Sequence, residues 1–254
     1  VEQHVTVIIG GHSGLLEQND HLCGADVRPV EVGPDRGMLR LEQVADLVEP
    51  VVEEERAAGR SPYLAPIGGS AVEGSMDAPL GAAGSAGALV ELLEQAATLE
   101  PTVDTVVHAS GSAGTQAGLV AGAKVVAPHV RIVGISVVSN AETLRGQVRT
   151  IATQLLEFLD FDAEIGDNDV IVFDDSLEPG YGVLTPEISR AIASLARSEG
   201  IVLDPVYTGK AWLCLLDLME SGFIEADENV TFIHTGGTAA LFPYREGIMG
   251  DLAD

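Results

Sequence analysis

Lysine is nearly missing from this chain of 254 residues: Lys124 and Lys210 are the only two, against 39 acidic residues and a formal net charge of −26. A surface so one-sided repels nucleic-acid phosphates and anionic membranes, which excludes both as partners. Cysteine is scarce as well. Cys23 and Cys214 lie far apart, each in an apolar pattern without a metal-type neighbour cluster, so they read as reduced core thiols and no metal site is expected. Long apolar runs are also lacking. No stretch has the length and apolarity of a membrane span, and the opening Val1-Glu2-Gln3-His4 has neither a basic segment nor an apolar signal core, so a cytoplasmic location is expected. What is present is the composition of a packed globule, 46% hydrophobic, which rules out disorder as the origin of the charge. The acids occupy ordinary outward positions, such as Glu53 to Glu55 and Asp217, and the charge reads as adaptation to high salt, where screening removes self-repulsion.

The pattern along the chain alternates between strand and helix. Val5 to Ile9 and Val27 to Val32 are β-branched strand candidates, separated by helical spacing from Ser13 to Leu22. Leu39 to Ala58 repeats apolar residues at helical intervals, with Pro50 expected to kink it. Tyr63 to Ile67 is strand-like. The small residues from Gly68 to Gly87 mark a boundary or mobile segment, and a helix is predicted over 88–98. Thr105 to Val107 opens a strand. Further strands are predicted at Arg131 to Val137, Val170 to Phe173 and Val230 to His234. Helices are predicted at Glu142 to Phe158, from Thr185-Pro186-Glu187 to about Arg197, and from Thr208 or Gly209 through Met219. Such alternation implies right-handed βαβ units and a mostly parallel sheet, with ligands at the carboxyl ends of the strands.

One stretch organises the rest. The strand carrying Val106 and Val107 runs into small residues from Ser110 to Gly114, and a helix begins at Thr115. The first N–H groups of a helix lack internal partners, so strand, small-residue loop and helix N-terminus together form an anion site. Ser110, Ser112 and Thr115 add hydroxyl donors. The spacing matches neither G-x-G-x-x-G with a ribose-binding acid nor G-x-x-x-x-G-K-[ST], and a single phosphate monoester fits better than a dinucleotide or triphosphate.

Five blocks now stand in order: Gly68-Gly-Ser70, Gly111-Ser-Ala-Gly-Thr-Gln-Ala-Gly118, Gly180-Tyr-Gly182, Leu203-Asp-Pro-Val-Tyr-Thr-Gly-Lys-Ala211 and Phe232-Ile-His-Thr-Gly-Gly237. Together they resemble the D-cysteine desulfhydrase and 1-aminocyclopropane-1-carboxylate deaminase family of pyridoxal-phosphate enzymes, from about Val5 to Tyr244. The resemblance implies a three-layer α/β fold with mostly parallel sheets, of the tryptophan synthase β-like group (fold type II). It implies a smaller domain over 1–75 and a larger cofactor-binding domain over 76–254. It implies pyridoxal 5'-phosphate held through Gly111, Ser112, Ala113, Gly114 and Thr115, with Thr208 and Thr235 as candidates for the ring-nitrogen contact. Tyr181 and Tyr207 resemble the family's active-site tyrosines, which position the substrate carboxylate or sulfur, or relay a proton if their pKa is lowered. Thr208 stands where the deaminase branch has glutamate. A hydroxyl makes a weaker electron sink than a carboxylate would, one suited to α,β-elimination of a small amino acid such as D-cysteine to pyruvate, ammonia and sulfide. His234 reads as structural.

The chain departs from the family in three places. The family's Gly-Asn-Lys motif, whose lysine bonds the cofactor aldehyde, and its Gln-Ser-Asn-His motif have no counterpart here, so the chain reads as N-terminally truncated. Lys124 ends the helix away from the ligand, and Lys210 is not the Schiff-base position. The 71–80 segment is longer than usual, with Ser85 in place of a glycine-tyrosine pair. Ala113 replaces a loop glycine, a mild change if its φ is negative. The resemblance therefore implies a homodimer, or assembly with a missing lysine-bearing segment. The alternative is a non-catalytic relative serving as a binding or partner subunit.

Overall fold

The computed structural model describes residues 6–10, 26–30, 44–99 and 102–252. They fall into two compact units, Val1–Leu64 and Ala65–Asp254. In the first unit, strands β1 (Thr6–Gly10) and β2 (Asp26–Val30) pair in parallel, Thr6 against Asp26. Helix α1 (Ala45–Ala57) runs through Pro50 without interruption. The predicted helix from Ser13 to Leu22, together with Cys23, lies outside the described residues. Glu55 departs from its expected outward position. It is buried, and Arg60 closes on it with an Nη2–Oε1 hydrogen bond of 2.9 Å.

The second unit is built on a four-stranded parallel sheet, β3 (Thr105–Ser110), β4 (Arg131–Ser136), β5 (Ile171–Phe173) and β6 (Val230–Ile233), in the spatial order β5-β4-β3-β6. Strand β3 is central, with Thr105 opposite both Arg131 and Val230. Its six residues are all buried, as expected of a parallel strand covered on both faces. One face carries Val106 and Ile132 against α2 (Leu80–Leu99), α3 (Gly114–Val126) and α4 (Ala141–Phe158). The other carries Val107, Ala109, Val133 and Ile135 against Ala211, Cys214 and Leu215 of α6 (Thr208–Glu220). Helix α5 (Pro186–Glu199) packs on α6 through Ile192 and Leu203, and α7 (Leu241–Asp251) follows the sheet. The unit is thus a three-layer α/β structure. Among the described residues no helix is long and apolar enough to cross a membrane, and no cluster of His, Cys, Asp or Glu could hold a metal ion.

Two expectations change. Tyr63 to Ile67 forms no strand. Pro62 and Pro66 interrupt it, and the chain turns at Ile67–Gly69, where Gly68 has φ +79°. The helix predicted over 88–98 begins earlier, at Leu80, and takes in the last eight of the twenty small-residue positions 68–87. Its composition serves close packing. A Cβ on Gly118 of α3 would collide with the Ala82 carbonyl and Ser85 of α2, so the two helices meet backbone to backbone.

Candidate functional site

The strand, turn and helix start stand where the sequence places them. β3 ends at Ser110, residues 111–113 turn, and α3 starts at Gly114. Ala113 sits at the N-cap with φ 70°, in the left-handed region, and is 1% exposed. The condition for a mild change, a negative φ, is therefore not met: the substitution for glycine is strained, and the packing around the buried methyl must hold it there. The Gly68–Ser70 turn closes over the loop. A Cβ on Gly68 would collide with the Ser112 side chain, and one on Gly114 with that of Ser70. Two of the five sequence blocks therefore interlock in space.

Beneath the loop the polar groups are incompletely satisfied. Ser110 Oγ is buried with no hydrogen-bond partner, as are His108 Nε2 and Gln116 Oε1. Gln116 reaches over Gly134, whose missing side chain makes the room, and donates from Nε2 to the Ile171 carbonyl at 2.8 Å. An orphaned hydroxyl at the end of β3, just ahead of the α3 N-terminus in the chain, fits an anionic ligand atom, as a phosphate would supply. His108 is fully buried. Its pKa is lowered to about 4 by that burial, so the ring is neutral.

The loops after β5 and β6 and the start of α6 carry the remaining candidates. The hydroxyls of Tyr181 and Tyr207 are hydrogen-bonded to each other, their ring centroids 5.9 Å apart in an edge-to-face arrangement. Burial, and then the bond to Tyr207, raises the Tyr181 pKa well above the ordinary phenol value. Tyr181 is therefore neutral, and the lowered pKa that a proton relay would need is not found there. Tyr244 donates to the Gly182 carbonyl at 2.5 Å, bracing the same loop.

Asp204, which the motif reading passed over, organises the turn that holds Tyr207. Its carboxylate, 0% exposed, accepts from the backbone N–H of Val206, Tyr207 and Thr208 at 2.8 Å each, and from the Thr208 hydroxyl at 2.6 Å. An aspartate just ahead of a helix start is a capping signal, and that was the available clue. Thr208 is wholly buried, with its hydroxyl proton on Asp204 and its lone pair receiving the Asp204 N–H at 3.0 Å. Thr235, in contrast, is exposed in the loop after β6. That loop meets the Asp204 turn at Gly237 (φ +88°), where a Cβ would strike the carboxylate. His234 has a structural assignment: Nδ1 accepts from Gly236 N at 3.1 Å, which leaves Nε2 to donate to the Val202 carbonyl at 3.0 Å.

Both lysines are engaged. Lys124 pairs with Asp169 at 2.9 Å. Lys210 donates to the carbonyls of Ser176 at 3.1 Å and Gly180 at 2.7 Å. Because the sheet is parallel, the loops 111–115, 174–182 and 234–237 all emerge at the carboxyl ends of their strands, the ligand-binding end of such sheets.

Comparison with known proteins agrees with this architecture. A family model described as "Pyridoxal-phosphate dependent enzyme" matches residues 15–236. D-cysteine desulfhydrase of Yersinia enterocolitica is 40% identical over 203 residues, covering 80% of this chain and 57% of the relative. 1-Aminocyclopropane-1-carboxylate deaminase of a Methylobacterium species is 33% identical over 223 residues, covering 88% of this chain and 63% of the relative. The chain thus spans about 60% of the length of these curated relatives. A crystal structure of an ACC deaminase homologue superposes with a TM-score of 0.82 at 30% identity, over 98% of this chain and 70% of that one. By fold, by the interlocked loop and by these matches, the chain belongs to the pyridoxal-phosphate-dependent enzyme family.

Proposed function

We propose that this chain carries the phosphate cradle and the substrate-facing tyrosines of a lyase that eliminates across Cα–Cβ of a small amino acid, D-cysteine in the first instance. Such a reaction consumes one water and releases pyruvate, ammonia and sulfide. Bound pyridoxal phosphate supplies the electron sink that lets the Cα–H bond break. The chain's residues supply the rest. Residues 111–115 hold the phosphate at the α3 N-terminus, with the Ser110, Ser112 and Thr115 hydroxyls as donors. Thr208 is committed to Asp204, which leaves Thr235 to meet the ring nitrogen. Neither threonine offers a carboxylate, which favours elimination over ring opening. Tyr181 and Tyr207, as a hydrogen-bonded pair, position the substrate carboxylate or sulfur.

The single observation carrying this reading is the interlock of Gly68–Ser70 with the 111–115 loop at the head of α3. With Lys124 and Lys210 both engaged, the lysine that bonds the cofactor aldehyde comes from another segment of the protein or from a partner. We place the protein in the cytoplasm, as a homodimer or an assembly with that segment, and read its acidity as adaptation to salt.

Inorganic phosphate and pyridoxal phosphate should compete for this chain, and Thr115→Ala should weaken each by about tenfold. Borohydride reduction followed by peptide mapping should trap no adduct on Lys124 or Lys210. The protein carrying the additional lysine-bearing segment should release pyruvate and sulfide from D-cysteine. Absence of competition, or indifference to Thr115→Ala, refutes the reading.

A further inference from the structure

Lys210 occupies a position that ordinary packing would give to a methionine or leucine. It is 1% exposed and lies in the first turn of α6, where the helix dipole is positive and disfavours a cation. Among the described residues no carboxylate forms an ion pair with it. Burial lowers its pKa, as the cost of desolvating an ammonium requires. The contacts that offset this cost go to one place. Both acceptors are carbonyls of the 176–180 loop, and Ser176 Oγ returns a bond to the Lys210 carbonyl at 3.3 Å. The next residue of that loop is Tyr181, and the helix that carries Lys210 begins beside Tyr207.

We propose that Lys210 is a positioning residue for Tyr181: its ammonium ties the 176–180 loop to the first turn of α6 and so sets one phenol against the other. This rests on reading the two tyrosines as substrate-facing groups. Asp204 is the complementary anchor, fixing Tyr207 through the backbone. The pair of hydroxyls is therefore held from both sides by buried charges, and Tyr181, itself 51% exposed, is restrained chiefly through its loop.

The chain contains four tyrosines, so 3-fluorotyrosine labelling gives four resonances that single Tyr→Phe variants assign. In the unmodified chain Tyr207→Phe should move the Tyr181 resonance. In Lys210→Met the Tyr181 resonance should already be displaced, and Tyr207→Phe should no longer move it. Lys210→Arg, which keeps donors to the carbonyls, should restore part of the coupling. In the enzyme carrying its lysine-bearing segment, Lys210→Met and Tyr181→Phe should each lower kcat by about tenfold, and the double variant by about the same tenfold, because one acts through the other. A residue that merely supports the fold would give additive losses. If Lys210→Met does not fold, Lys210→Gln, which keeps one donor, is read in its place. A folded variant of either kind with the coupling intact overturns the proposal. So do additive losses, and so does failure of both variants to fold, which would make Lys210 a determinant of the fold and not of the tyrosine. The resonances require no cofactor, so a chain that fails to bind pyridoxal phosphate but shows the expected uncoupling separates the two questions.

Discussion

Replacing Gly118 by alanine adds one methyl group where α3 crosses α2. Two opposing effects decide the outcome. Alanine is favoured over glycine inside a helix by about 1 kcal/mol. Against this, the new Cβ would overlap the Ala82 carbonyl and the Ser85 Cβ, backbone and near-backbone atoms that cannot swing aside. Overpacking of that kind costs about 1–3 kcal/mol, and immobile neighbours place it near 3. The net loss is about 2 kcal/mol, or a melting temperature lower by roughly 4–8 °C for a unit of this size. Gly122, one turn later, is the internal control. Its Cβ would lie 3.3 Å from Leu89 Cδ2 and 3.4 Å from Ala86, so a small displacement suffices and the propensity gain nearly offsets it. Gly122→Ala should stay within about 1 kcal/mol of the unmodified chain. Thermal and urea unfolding followed by circular dichroism at fixed salt measure both. A Gly118→Ala chain as stable as the unmodified one would refute the backbone-to-backbone account of why this stretch is rich in glycine and alanine.

His108 makes acid sensitivity specific. Below pH 6.5 the unfolded chain takes up a proton that the folded chain refuses until about pH 4, so stability falls with pH across that window by roughly 3 kcal/mol. His108→Gln should flatten urea midpoints between pH 6.5 and 4, and an unchanged slope would count against a neutral buried ring. Asp204→Ala should cost roughly 2–4 kcal/mol in urea unfolding, since four donors lose their acceptor, whereas a loss under 1 kcal/mol would mean that water replaces it. With a net charge of −26, the melting temperature should rise between low and molar salt, and a flat response would remove the salt-adaptation reading.

Features decided by local chemistry were legible in the sequence. Thr185-Pro186-Glu187 starts α5 with the Thr185 hydroxyl accepting the Ile188 N–H, and Gly200 ends it at φ 71°. The apolar runs at Thr105, Arg131 and Val230 became adjacent parallel strands, and the loop at residues 111–115 stands at the head of α3. Features decided by a distant neighbour were not. Gly81 looks like a linker residue until Ser70 is seen against it, and nothing in the spacing around Gly118 shows that it faces Ala82. The sequence left the sign of φ at Ala113 open, and the fold sets it at 70°. The direction of the Tyr181 pKa, upward through burial beside a second phenol, is an effect no spacing encodes. Asp204 was legible as a local cap, its donors lying two to four residues on, whereas Lys210 is bound by carbonyls some thirty positions upstream.

The pairing of β3 with β6 joins Thr105 to Val230 across 125 positions of sequence. Until residue 230 has been made and docked, β3 is an unpaired sheet border, and the loop that carries Thr235 has nowhere to stand. The loop after β6 is therefore placed late, well after the 111–115 loop has been synthesised. A chain cut short before β6 would leave backbone N–H and C=O groups of β3 open to pairing with other chains, a route to aggregation instead of to a half-active enzyme.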